Sequence, residues 1–145
     1  MFNVKLDYPT IDEEIDIVKA TTGTENVQLH TILSAEEIIA YQQLIRKLPV
    51  NDSVIRYAVE LVTKTRREKT ENNIAKEYLA WGAGPRASQY LIIGAKAHAA
   101  VCGKYSPDIE DIKAVALPIL RHRIIKNYKA EADGLDVDEI IMKLL

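Results

Sequence analysis

Apolar side chains recur along this chain at the three-and-four spacing of helices, and only its first residues follow another rule. MFNVKLDYP places Phe2, Val4, Leu6 and Tyr8 at alternate positions and stops at Pro9, the period of a strand. A lone strand makes no sheet, so the segment is either an edge piece of something larger or an extended strip packed on helices. Thr10 with Glu13 then spells a capping box, and Ile11, Ile15 and Val18 form a helical stripe that runs up to Gly23. Residues 24–33 have no clear period and read as a connector. Ser34 with Glu37 opens a second helix with Ile38, Tyr41, Leu44, Ile45 and Leu48 on one face, ended by Pro49.

A third helix follows, capped by Asn51 or Asp52, with Val54, Ile55, Ala58, Leu61 and Val62 on its apolar side. It gives way to TRREKTENN, residues 65–73, whose default reading is a solvated, charged connector. WGAGPRASQYL, residues 81–91, is a short apolar segment, a glycine turn and the start of an alanine-rich fourth helix. That helix carries Leu91, Ile92, Ala95, Ala99 and Cys102 on its inner side and closes at Gly103. Ser106 as N-cap and Pro107 at the first helical position predict a fifth helix with Ile109, Ile112 and Ala116 buried, which Pro118 ends or kinks. Residues 119–130 are a transition of open conformation, and Asp136 with Glu139 caps a last helix bearing Val137, Ile140, Ile141 and Leu144.

Composition narrows the picture only modestly. A chain of 145 residues, 48% hydrophobic and 28% charged, suffices for one ordinary core. A formal net charge of -2 gives no global reason to bind nucleic acid or an acidic membrane. The basic runs TRRE and RHR, residues 121–123, lack interleaved aromatics and read as solvated faces. The single cysteine, Cys102, excludes an internal disulfide and suits a reducing cytoplasm, and no stretch has the length of a membrane span.

Candidate chemistry is sparse. His98 and Cys102 lie four apart and share a helix face, yet zinc needs three or four ligands and nothing in sequence completes the set. Glu13-Glu14, Glu36-Glu37 and Asp108 with Glu110 sit at helix starts, where the dipole favours carboxylates. There is no G-x-S-x-G or H-E-x-x-H, and the nearest imitation of a Walker loop, at Gly103-Lys104, has His98 for its first glycine and Tyr105 for its Ser/Thr. Arg86 is the exception. Pro85 suits the first helical position and Gly84 the N-cap, which puts a cation in a first turn, where the dipole disfavours it by a few tenths to about 1 kcal/mol. A helix N-terminus is also a natural anion site, and a guanidinium there adds a bidentate fork for phosphate oxygens.

Several segments together resemble the C-terminal part of MoxR-type AAA+ ATPases: YPTIDEE at 8–14, ILSAEEI at 32–38, VNDSVIRYAVELVTKTR at 50–66, WGAGPRAS at 81–88, SPDIEDIKAVALPILRHRI at 106–124 and ADGLDVDEII at 132–141. The resemblance implies an all-α helical lid bundle of about five to six helices, with a short N-terminal extended segment left from the ATPase core. It divides the chain into a core-strand remnant at 1–9, a connecting helix and linker at 10–30, and the lid at 31–145. It carries the sensor 2 role onto Arg86, an electrostatic catalytic group for ATP phosphates, with Gly84, Pro85 and Ala87 shaping the nucleotide-binding turn. Gly84 departs from the family's usual serine, at a cost of a few tenths of a kcal/mol as a cap.

The resemblance further implies ATP and Mg as cofactors of an intact ring-forming, chaperone-like parent, bound to its own core domain and neighbouring subunits and in some cases to a von Willebrand A-domain protein. It places the chain after the phosphate loop, Walker B acid, sensor 1 and arginine finger, so the polypeptide alone should not hydrolyse ATP. The residues themselves lead to no expected metal site and no nucleic-acid or membrane partner, a nucleic-acid adaptor being only a third reading. Whether Arg86 serves its own subunit's nucleotide or a neighbour's stays open. The alternative is a free-standing helical protein-interaction module that uses no nucleotide.

Overall fold

The computed structural model describes residues 2–24, 29–68 and 70–145. Among them are eight helices: α1 (Ile11–Thr22), α2 (Ala35–Lys47), α3 (Asp52–Lys64), α4 (Asn73–Tyr78), α5 (Pro85–Val101), α6 (Ile109–Leu120), α7 (Tyr128–Ala132) and α8 (Val137–Leu144). Two very short strands, β1 (Leu79–Trp81) and β2 (Ile125–Lys126), pair antiparallel with a bulge between Leu79 and Trp81. The all-α reading therefore holds, with α4 and α7 added to the helices expected. Asn72 and Asn127 cap these two, each accepting a backbone N–H, and only Ala75 and Ala130 within them are fully buried.

The long helix α5 forms the middle of the bundle, packed mainly on α6 and then on α3 and α2. Its stripe Ala87, Leu91, Ala95 and Ala99 repeats every fourth residue, all four at 1% exposure or less, and the small side chains let neighbouring ridges come close. A Cβ at Gly94 would stand 2.9 Å from Ile119 Cδ1 and 3.3 Å from Val115 Cγ2, which measures how near α6 lies. Ile112, Val115, Ala116, Ile119 and Leu120 of α6 meet Ala58, Leu61 and Val62 of α3 and Ile140, Ile141 and Leu144 of α8 in one core.

The capping boxes at Thr10–Glu13, Ser34–Glu37 and Asp136–Glu139 are all formed. Asn51, not Asp52, occupies the N-cap of α3, without a side-chain bond. The end of α5 is a Schellman motif: Lys104 N–H bonds Ala99 O at 2.8 Å, Gly103 N–H bonds Ala100 O at 3.1 Å, and Gly103 takes φ +73. Cys102 is the C-cap and lies exposed, not on the inner stripe.

Two expectations need correction, and one stripe proves exposed. The fifth helix starts later than SP suggests, because Asp108 and Asp111 form a reciprocal capping box of their own; Pro107 lies outside it, and Ser106 Oγ donates to Pro49 O. Pro118 ends nothing at once, since α6 runs on to Leu120, and its carbonyl instead accepts the Asn3 N–H at 2.7 Å. The α1 stripe is not core: Ile11, Ile15 and Val18 are 79%, 45% and 51% exposed, and no residue of α1 is buried.

Residues 2–10 pair with no strand among the described residues. The first few lie extended on the bundle, held by the Asn3–Pro118 bond, by Arg121 Nη1 on Asn3 O at 3.3 Å and by Lys5 with Asp136. The connector expected at 24–33 is described only outside residues 25–28, and there it carries no regular element.

Candidate site at the start of helix α5

Everything that positions Arg86 is built from the backbone around Gly82–Gly84. The short ladder of β1 with β2 delivers the chain to Gly82, where an added Cβ would fall 2.2 Å from Thr65 O, 2.6 Å from Thr65 C and 2.9 Å from Arg66 Cα. Only glycine permits that approach. Thr65, at the end of α3, is fully buried; its Oγ1 donates to Val62 O at 2.6 Å and accepts the Ala83 N–H at 2.9 Å. Arg66 Nε then donates to Ala83 O at 2.9 Å. Both backbone polar groups of the buried residue Ala83 are thus matched, as burial demands. The start of the 65–73 segment is therefore a structural clamp and not a solvated connector.

From this clamp Gly84 enters the helix with extended backbone, its carbonyl accepting the Ala87 N–H at 2.9 Å, and Pro85 takes the first helical position. Nothing lies within 4 Å of a Cβ at Gly84, and no side chain caps the helix. Ala87 is buried and anchors the first turn, while Arg86 at the preceding position is exposed. Among the described residues Arg86 has no hydrogen-bond or ion-pair partner. The first turns of α1, α2, α3, α6, α7 and α8 all carry carboxylates, whereas those of the short α4 and of α5 carry none. Its dipole and its guanidinium thus add positive potential at one place with no internal counter-charge.

The remaining sequence candidates have internal roles. His98 Nδ1 lies 2.7 Å from Asp111 Oδ1, and Lys104 Nζ lies 3.1 Å from the same oxygen. Burial pushes Asp111 up, but the Asp108 N–H, His98 and Lys104 outweigh it and hold the carboxyl at about 2. Cys102 Sγ is 4.0 Å from His98, and among the described residues no three His, Cys, Asp or Glu side chains gather to hold a metal. In RHR, Arg121 grips Asp138 with bonds of 3.1 and 2.8 Å, and Arg123 stacks over Tyr90 at 5.0 Å. Two features escaped sequence reading: the Thr65–Ala83 clamp and a wide cleft beside it, of about 1000 Å³, lined by Arg66, Arg67, Lys76 and Trp81 among others. The glycines around Ala83 were the available signal.

No helix among the described residues is long and apolar enough to cross a membrane. The family model of the AAA lid domain matches residues 71–144, the span from just before α4 to the end of α8. The chain is 31% identical over its full length to Chaperone MoxR1 of Mycobacterium tuberculosis, of which it covers 38%. It is 25% identical to the uncharacterized protein YeaC of Bacillus subtilis, covering 43% of that protein. A crystal structure of a candidate ATPase from Cytophaga hutchinsonii superposes with a TM-score of 0.83 at 32% identity, over 99% of this chain and 44% of the other. The chain thus spans less than half the length of each of these relatives. A helical bundle of this topology, matched by the lid model through its C-terminal half and by a MoxR chaperone throughout, belongs to the AAA lid domain family, in its MoxR-type branch.

Proposed function

We propose that this lid couples ATP turnover in a MoxR-type ATPase to the remodelling or maturation of client proteins, with Arg86 as its sensor 2 cation. The observation that carries the proposal is the start of α5, an exposed arginine on an uncapped, carboxylate-free helix end fixed by a buried clamp. Such a donor set fits a polyphosphate. It would place Arg86 on the terminal phosphate, with Gly84, Pro85 and Ala87 shaping the turn, and it offers no ligand to Mg²⁺, which would stay with the phosphates and the core. When bound, the nucleotide supplies a phosphoryl group whose developing charge Arg86 can stabilise without proton transfer.

The guanidinium contact exists only while the terminal phosphate is present, so its loss biases how the lid docks on the core, a rigid-body change. The proposed setting is a cytoplasmic ring in which residues 1–9 continue the core's sheet, 10–30 connect, and 31–145 form the lid. Core domain, neighbouring subunits and a von Willebrand A-domain protein are the partners in this reading. The 145-residue chain alone should bind and hydrolyse no ATP.

The test is the ATPase that contains this chain, with Arg86→Ala and Arg86→Lys. Arg86→Ala should still bind ATP but turn it over about tenfold or more slowly, the effect of about 1.4 kcal/mol at the transition state. Unchanged kcat at saturating ATP refutes the assignment. A second reading, a helical module that takes a protein partner without nucleotide, draws on the exposed Ile11, Ile15 and Val18 stripe. It requires partner binding that ignores ATP and Arg86→Ala alike.

A further inference from the structure

The cleft beside the clamp is independent of Arg86 and has its own chemistry. Arg66, Arg67 and Lys76 line it with a single carboxylate, Glu68, so it is locally cationic in a chain whose net charge is -2. Arg67 and Lys76 are exposed and have no ion-pair partner among the described residues. Arg66 is preorganised: its Nε is committed to Ala83 O at 2.9 Å, which holds the guanidinium at the cleft and lowers the entropy lost on pairing.

The wall of the cleft is apolar. Trp81, 71% exposed, lines it, and Ile125, its cross-strand neighbour outside the cleft lining, is 58% exposed. Leaving an indole in water is unfavourable, and Trp and Arg are the residues that most often anchor protein interfaces. The floor is held in place, because Gly82 lies close against the Thr65 backbone and the Ala83 N–H donates to Thr65 Oγ1. At about 1000 Å³ the cleft also lies at the upper bound of small-molecule sites, which run to roughly 1,000 Å³ and enclose their ligand.

We propose that this cleft is a docking site for an acidic polypeptide segment, whose carboxylates pair with Arg66, Arg67 and Lys76 and whose apolar side chain packs on Trp81. An anchor on a rigid floor supplies the affinity, and the rim cations supply rate and selectivity. The proposal rests on Arg66, Arg67, Lys76 and Trp81 and not on Arg86, although the cleft reaches Gly84 at the helix end.

Trp81 is the chain's sole tryptophan, so intrinsic fluorescence reports on the cleft directly. The 145-residue chain is titrated with a short Glu/Asp-rich peptide carrying one central leucine, with its Gln/Asn counterpart, and with tripolyphosphate. The acidic peptide should move Trp81 emission saturably, with affinity that falls as salt rises. Arg67→Glu with Lys76→Glu should weaken it about tenfold or more, and Arg86→Ala should leave it unchanged. An unsaturable signal, equal binding of the neutral peptide, or wild-type affinity in the charge-reversed variant overturns the proposal. So does tighter binding of tripolyphosphate than of peptide, which would give the cleft to phosphate. The Arg86 assignment is judged separately, by turnover in the ATPase.

Discussion

Thr65→Val is the substitution that most directly tests how the α5 start is held. It keeps the shape and volume of a side chain at 0% exposure and deletes one oxygen. That oxygen is the sole partner of the Ala83 N–H, at 2.9 Å, and Ala83 is itself 1% exposed, so water cannot replace it. A buried donor stripped of its acceptor costs about 1–3 kcal/mol. Unfolding entropy near Tm is about 2.1 cal/mol/K per residue, or about 0.3 kcal/mol/K for 145 residues, so Tm should fall by about 3–10 °C.

The comparison variant is Thr65→Ser, which keeps the hydroxyl and loses a methyl, costing about 1 kcal/mol through packing alone. Stability by itself separates the two poorly, so the deciding readout is amide hydrogen exchange at Ala83. Protection there should survive in Thr65→Ser and fall sharply in Thr65→Val, with the urea m-value unchanged. A Thr65→Val protein that melts at the wild-type temperature with Ala83 still protected would refute the clamp.

Gly82→Ala should destabilise the chain by about 3 kcal/mol or more, because the obstruction at 2.2 Å is backbone and cannot swing aside. Gly84→Ala, with nothing within 4 Å, should fall within about 1 kcal/mol of wild type, and paired thermal melts check the contrast. Asp111 contributes stability that is complete above its ordinary value of 3.8 and is lost as pH falls from there through about 2, since the unfolded state takes up the proton first. That displacement is worth about 2 kcal/mol, so Asp111→Asn should lose at least this much at neutral pH and flatten the acid limb of a denaturation profile.

What could be read along the chain was what is settled by neighbours along the chain. Thr10–Glu13, Ser34–Glu37 and Asp136–Glu139 are three-residue agreements between a side chain and a nearby N–H, and all three formed. Asp108–Asp111 is the same agreement in a different spelling, and the shorter Asp at its far end hid it behind the more familiar SP. The alanine stripe of α5 was legible for a similar reason, because a four-residue repeat over a long helix leaves no other period available. Helices α4 and α7, of six and five residues, are too short to show any period at all, and one buried alanine in each holds them to the core.

The site divides along the same line. WGAGPR announces a turn, a Pro-led helix and a misplaced cation, all local. The clamp joins Thr65 to Ala83 across 18 positions, and a threonine amid charged residues looks like any other loop polar group until its partner arrives. The α1 stripe shows the limit from the other side. Its spacing identified Ile11, Ile15 and Val18 as one face, and they are one face, but burial is a relation between two surfaces and the described residues contribute only the first. Periodicity says which side of a helix is apolar. It leaves open what lies against it, and the same holds for Arg86: its geometry shows an exposed cation on a rigid turn, and what it meets belongs to the other surface.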